Sequence, residues 1–197
     1  MARSKEFNVD EALDKAMQAF WYRGFEGTSV QDLVDCMGIQ RGSLYGTFGD
    51  KEQLFLQAFE HYDERRRTLM AEQRPPLEAI RNWFDRVIEG ATADDLNKGC
   101  FIVNTAMELE SHSDPVRKRL KQSLDEIEAF FLRNVKQAQA EGLVKRGVDP
   151  EKSAQILLGA LVAIRALSRS RPEAGMLRTL AEHALSPLTE SEPKAQL

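Results

Sequence analysis

Apolar residues along this chain recur at intervals of three and four, the spacing of a helix face. Val9, Ala12, Leu13, Ala16, Met17 and Phe20 form one such stripe, and Asn8 with Glu11 supplies an Asn version of the capping box before it. Gly24 and Gly27 bracket a short connection. Thr28, with Gln31 three residues on, opens a second helix through Val30, Leu33, Val34 and Met37 that stops at Gly38. A short third helix spans about Arg41 to Thr47. Asp50, with Gln53, caps a long fourth carrying Leu54, Phe55, Ala58, Phe59 and Tyr62.

Pro75-Pro76 starts a fifth helix through Leu77, Ile80, Trp83, Phe84, Val87 and Ile88, ending near Gly90, after which residues 91–98 read as loop. A sixth runs from about Gly99 to Ser111. Asp114-Pro115 and Asp149-Pro150 begin two more, to Gly142 and about Ser170, and Pro172 begins a last one that ends before Pro187. Alternating patterns and hairpin turn pairs are missing, so no strand is predicted. The expectation is an all-α protein of nine helices, three short and then six longer. Residues 1–50 would form a small N-terminal domain and 51–186 a larger helical body. The polar tail, 187–197, reads as disordered.

Composition adds little to this picture and removes several alternatives. The longest apolar run, Ile156 to Ile164, is far too short to span a bilayer, so no membrane partner is expected. The N-terminus has charge without an apolar stretch behind it, and two cysteines cannot make a disulfide framework. Both point to the cytoplasm. Net charge is −4, and residues 1–70 hold nine Lys/Arg against twelve Asp/Glu. Bulk electrostatics therefore gives no reason to expect nucleic acid, and any such function must rest on local pattern.

That local pattern lies between Thr28 and Leu54. Two helices joined by Gly38-Ile39-Gln40, the second very short, have helix-turn-helix spacing. Gly38 would make the turn and Ile39 would plug the core beneath it. The second helix of such a unit enters the major groove. Here it offers Gln40, Arg41, Ser43 and Thr47 as hydrogen-bonding groups, with Tyr45 and Lys51 placed to clamp the backbone. Phe48, four residues from Leu44, is read as core.

The run from Gly38 through Gly42-Ser43-Leu44-Tyr45 to Phe48-Gly49-Asp50-Lys51 and Leu54 resembles the signature of the TetR family of bacterial transcriptional regulators. So does the upstream Ala19-Phe20, Gly24-Phe25, Thr28-Ser29-Val30 and Leu33. The resemblance implies a homodimer that binds a palindromic, double-stranded operator, usually as a repressor, and is released by a small-molecule effector. No cofactor is implied. In family terms Thr28 and Ser29 would touch phosphate; Arg41, Gly42 and Ser43 would face bases; Tyr45 and Lys51 would hold the backbone. The chain departs from the family pattern at Gly46, often an aromatic, at Thr47, often a His, and at Gln40, often a Ser or Thr cap. Gly46 costs the helix on the order of 1 kcal/mol.

The same resemblance places Trp83, Phe84, Asn104, Met107, Phe131 and Arg165 on helices that line an effector pocket. Arg165, in an apolar helix, would meet an acidic effector, pair with a Glu or reach solvent. Cys100 follows Lys98-Gly99 at a helix start, where a thiol pKa is lowered; it is either a thiol sensor, as in some family members, or buried core. Cys36 is read as a small buried hydrophobe, and Arg65-Arg66-Arg67 as a solvated helix end. Glu108, Glu110, His112 and Asp114 fit no metal-ligand spacing and read as a solvated end too, so no metal is expected. On the last two helices Leu157, Leu161, Ile164, Leu177, Leu180 and Ala184 are the expected dimer face. An all-α interaction module would leave Arg41, Tyr45 and Lys51 unexplained. An all-α enzyme would need an acid–base or metal constellation that the sequence lacks.

Overall fold

The computed structural model describes residues 7–94 and 96–189. Among them are nine α-helices: α1 Val9–Arg23, α2 Val30–Met37, α3 Arg41–Phe48, α4 Lys51–Ala71, α5 Pro76–Thr92, α6 Phe101–Met107, α7 Asp114–Ala140, α8 Pro150–Leu167 and α9 Ala174–Thr189. A single 3-10 turn, Leu109–Ser111, follows α6. The architecture is all-α as expected, but the helix lengths do not sort into three short and six long. α1 has 15 residues and α6 only seven. α5 runs two residues past Gly90 into the expected loop.

The caps explain most of the boundaries. Asn8 Oδ1 accepts from the backbone N–H groups of Asp10 and Glu11, and Asp50 Oδ1 accepts from Gln53 at 2.8 Å. At α2 the cap is Ser29, one residue later than expected. Its partner in the capping box is Asp32, whose carboxylate accepts from the Ser29 N–H at 2.8 Å. At the other end of the chain α9 continues through Pro187 to Thr189. Pro187 has no N–H for the His183 carbonyl, and the Ser186 hydroxyl donates to that carbonyl instead, at 2.9 Å. The expected disordered tail is thus helical over 187–189, and 190–197 lie outside the described residues.

The chain forms two compact units. The first runs to Arg67 and takes in Cys100–Leu120, so α6, the 3-10 turn and the start of α7 belong with the three N-terminal helices. This differs from a division at residue 50. An aromatic core accounts for it: Phe55 sits 5.1 Å from Phe20 and 5.3 Å from Phe101, and Phe101 is 5.6 Å from Phe59. Beside it lies an ionic cluster around a buried Asp63, so of the expected solvated basic end Arg66 is largely buried, Arg67 half-buried and Arg65 exposed. Asp63 is fully buried against Arg66 and Arg119, while Arg67 and Arg119 both reach Glu60. Arg65 pairs with Asp14 at 3.1 Å.

The second unit comprises Thr68–Gly99 and the chain from Lys121 on. Trp83, Phe84, Phe130 and Phe131 stack in its interior, with Trp83–Phe130 at 5.2 Å and Phe84–Phe131 at 5.9 Å. Leu157, Leu161, Ile164, Leu177 and Ala184 are buried in this same chain, which corrects their reading as a dimer face. The most apolar stripe of a helix serves its own core first. What α8 turns outward is a smaller-residue stripe: exposed Ile156 and Gly159, with Ala160 and Ala163 half-buried. Leu180 on α9 is half-buried.

Candidate DNA interface and effector region

The turn between α2 and α3 is built by Gly38, which adopts φ +70°, ψ 30° and donates to the Val34 carbonyl at 3.0 Å. That left-handed conformation suits glycine. Ile39 follows, buried, and Gln40 caps α3 with its backbone alone, leaving its side chain exposed. α3 is anchored by Leu44 and Phe48, both buried. The opposite side presents Gln40, Arg41, Gly42, Tyr45, Gly46 and Thr47 to solvent, with Ser43 half-buried. Arg41 donates to the Tyr45 hydroxyl at 3.4 Å and lies over its ring at 5.7 Å. A methyl group at Gly42 or Gly46 would touch nothing within 4 Å. The outer side of α3 is therefore open and unencumbered along its length.

Flanking α3, Lys51 at the start of α4 holds its Nζ 4.2 Å from the centre of the Phe25 ring. Ser29 is exposed, its hydroxyl engaged with Asp32. Hydrogen bonds from Ser29, reinforced by Arg23 at 3.1 Å, hold the Asp32 carboxyl below its ordinary pKa. Thr28 is not part of this surface. It is fully buried, and its hydroxyl donates to the Gly24 carbonyl at 2.7 Å, bracing the connection from inside.

The residues expected to line an effector pocket are divided between the two units. Trp83, Phe84, Phe131 and Arg165 belong to the second unit; Cys100, Asn104 and Met107 belong to the first. Asn104 is buried and donates to the Trp21 carbonyl at 3.3 Å, a structural bond. Met107, the last residue of α6, is 80% exposed. Phe131 is fully buried, and Trp83 is buried with no hydrogen-bond partner for its Nε1. Arg165, half-buried, makes no ion pair among the described residues. In the second unit a cleft of ≈ 290 Å³ opens between α5 and α9, rimmed by Arg81, Asp85, Arg178 and Glu182; of the expected residues only Phe84 reaches it.

Cys100 caps α6 with its thiol buried and accepts a hydrogen bond from the Tyr62 hydroxyl at 3.5 Å. Lys98, the expected activating neighbour, has its ammonium 3.7 Å from Asp94. Cys36 is exposed, correcting its expected burial, with Sγ 3.4 Å from the Leu33 carbonyl; partial desolvation raises its pKa. His112 is the residue that sequence reasoning missed. It is buried, both ring nitrogens lack a partner, and its ring stands 4.8 Å from Phe55 and 5.4 Å from Phe25. No helix among the described residues is long and apolar enough to cross a membrane.

Comparison with known proteins gives one answer for both the N-terminal and the C-terminal parts of the chain. Residues 12–58 match the family model described as bacterial regulatory proteins, tetR family, and residues 76–183 match the tetracyclin repressor-like C-terminal domain. The chain is 33% identical to the HTH-type transcriptional regulator YezE of Bacillus subtilis (strain 168), covering 78% of this chain and 81% of that one. It is 32% identical to the HTH-type transcriptional repressor ComR of Escherichia coli (strain K12), covering 79% and 76%. Among solved structures, a cysteine mutant of the regulator CifR complexed with 26-base-pair operator DNA superposes with a TM-score of 0.80 at 28% identity, covering 94% of this chain and 98% of that one.

Proposed function

The chain belongs to the TetR family and is a DNA-binding transcriptional regulator, and from that premise we propose that it is a cytoplasmic repressor that grips a palindromic operator as a homodimer and is released by a small-molecule or thiol-reactive effector. The observation that carries the DNA face is the open side of α3, where Arg41 and Tyr45 lie side by side and exposed. Arg41, Gly42 and Ser43 read bases; Gln40, Tyr45, Thr47, Lys51 and Ser29 take phosphate. Phosphate contacts fix register without reading sequence, so the two groups separate experimentally.

The dimer forms through the outward stripe of α8, Ile156, Gly159 and Ala163, with Leu180 of α9. Small residues there let two helices approach closely. Recognition helices about 34–36 Å apart then meet successive major grooves on one side of the duplex. Sedimentation at micromolar concentration should give a dimer, and Gly159→Arg should give a monomer.

For the effector, the covalent reading falls on Cys100, the cysteine at the start of α6, whose sulfur accepts from the Tyr62 hydroxyl at 3.5 Å. Trp83, Phe84, Phe131 and Arg165 remain the non-covalent alternative. Titrating the DNA upstream of the coding region should give a Kd on the order of 10⁻⁸ M or tighter at physiological salt. A thiol-reactive electrophile should release wild type and Cys36→Ser but not Cys100→Ser. Equal release of Cys100→Ser moves the effector to the aromatic cluster. Failure to prefer any upstream fragment over unrelated DNA overturns the operator reading.

A further inference from the structure

Three residues spaced four apart, Asn104, Glu108 and His112, run from α6 into the turn after it, and each engages the exit of α1. Asn104 donates to the Trp21 carbonyl at 3.3 Å, and Glu108 Oε2 accepts from the Phe25 N–H at 3.3 Å. The carboxylate sits where a side chain on Gly24 would be: a Cβ there would lie 2.5 Å from a Glu108 oxygen, and Gly24 holds φ +77°, ψ 176°, a conformation essentially confined to glycine. His112 completes the strip by packing on the rings of Phe25 and Phe55. Sequence separations of more than 80 residues are bridged here, so the contact is tertiary and specific.

Phe25 is thus held at its backbone by Glu108 and at its ring by His112, Phe55 and Phe20, the last two at 5.3 and 6.2 Å. Its ring in turn carries the Lys51 ammonium at 4.2 Å. A lysine at a helix start has a long, flexible stem, and a ring beneath its ammonium restricts that freedom while leaving the N–H groups able to donate. Ordering a side chain before binding lowers what association costs. We infer that Glu108 and His112 are positioning residues for DNA binding: they fix Phe25, and Phe25 holds Lys51 where it meets phosphate.

The inference rests on Lys51 being a phosphate contact, as proposed above, and the two are tested together but fail separately. Binding of the full-length protein to its operator and to an unrelated duplex is measured across a potassium chloride series. Lys51→Ala should lower the slope of log K against log salt by about 0.9 for each phosphate it ceases to neutralise, on both duplexes. Glu108→Ala and Phe25→Leu should lower it by the same amount, and combining either with Lys51→Ala should lower it no further. Glu108→Gln, whose amide oxygen can still accept from Phe25, should restore the wild-type slope. Unfolding midpoints identify any variant that merely loses structure; Phe25→Leu keeps the apolar volume and guards against that outcome. If Lys51→Ala lowers the slope while Glu108→Ala and Phe25→Leu do not, the positioning role is overturned and the phosphate contact stands. If Lys51→Ala leaves the slope unchanged, both fall.

Discussion

α3 and α6 are almost the same length, eight residues and seven, and neither has a side-chain cap at its N-terminus. They are nevertheless built in opposite ways. α3 is held by two buried residues, Leu44 and Phe48, and keeps its remaining side open. α6 buries five in succession, Phe101 to Thr105. A helix that reads DNA must expose a polar edge, and two anchors are the least that can fix it. A helix embedded in a core can be buried on every side, and its polar residues then act as internal bonds. The contrast separates a helix with an open side from a helix embedded in a core, and each side of it can be attacked by substitution.

The largest effect should come from α6. Phe101 meets Phe55, Phe59 and Tyr62 at 5.3, 5.6 and 5.7 Å, so Phe101→Ala removes the centre of the first unit's aromatic core. The expected cost is about 3–5 kcal/mol in denaturant unfolding. Leu44→Ala on α3 should cost less, because it deletes fewer buried atoms than Phe101→Ala does. A larger loss at Leu44 than at Phe101 would reverse the comparison.

Next comes the binding edge itself. Arg41→Ala should weaken operator binding by about 1–3 kcal/mol and relax discrimination at its base pair, while leaving unfolding within roughly 0.5 kcal/mol of wild type. Tyr45→Phe should weaken operator and unrelated DNA alike. Competition between operator variants distinguishes the two, and an Arg41→Ala protein with unaltered operator affinity would remove α3 from the groove.

The same contrast governs what the amino-acid sequence discloses. α3 is legible because exposure leaves a pattern: two apolar anchors four apart, polar residues between them, and a glycine turn ahead. α6 has no such period. Its Asn104 reads as a pocket residue until its partner, Trp21, is seen 83 positions away. His112 lies among Glu110, Ser111 and Asp114, which announce solvent, and only the 3-10 turn folds its ring inward. On α8 both apolar stripes are visible, but periodicity alone does not say which one the chain keeps for itself. The shift of the α2 cap from Thr28 to Ser29 has a similar origin. Both residues can cap, and the choice follows from the buried bond of Thr28 to Gly24.

A smaller effect distinguishes the two regions by pH. Burial against Phe25 and Phe55 lowers the pKa of His112 below its ordinary 6.5, outweighing the opposing pull of Glu108, Glu26 and Glu52. The unfolded chain takes up that proton near 6.5, and the folded chain only at lower pH. Stability from this site is therefore complete above about pH 6.5, falls as pH drops from there to the folded pKa, and levels off below it. The slope stays under the roughly 1.4 kcal/mol per pH unit that one whole proton gives. His112→Phe should flatten this component of the stability curve. No difference in slope between the two proteins would mean that His112 is protonated equally in both states.

The smallest effect lies at the centre of α3. Gly46 is a helical residue whose Cβ would meet no atom within 4 Å, so nothing in the free protein requires its absence. Gly46→Ala should therefore stabilise the helix by roughly 0.5–1 kcal/mol through backbone entropy alone. Slower amide exchange from Tyr45 to Phe48 should accompany the gain, since two anchors leave α3 limited by its own propensity and not by packing. The equivalent change is not on offer in α6, which has no glycine and buries Phe101 to Thr105 in succession. Exchange that is unchanged or faster in Gly46→Ala would show that Leu44 and Phe48 already hold α3 as firmly as the core holds α6, and the distinction between the two helices would reduce to exposure.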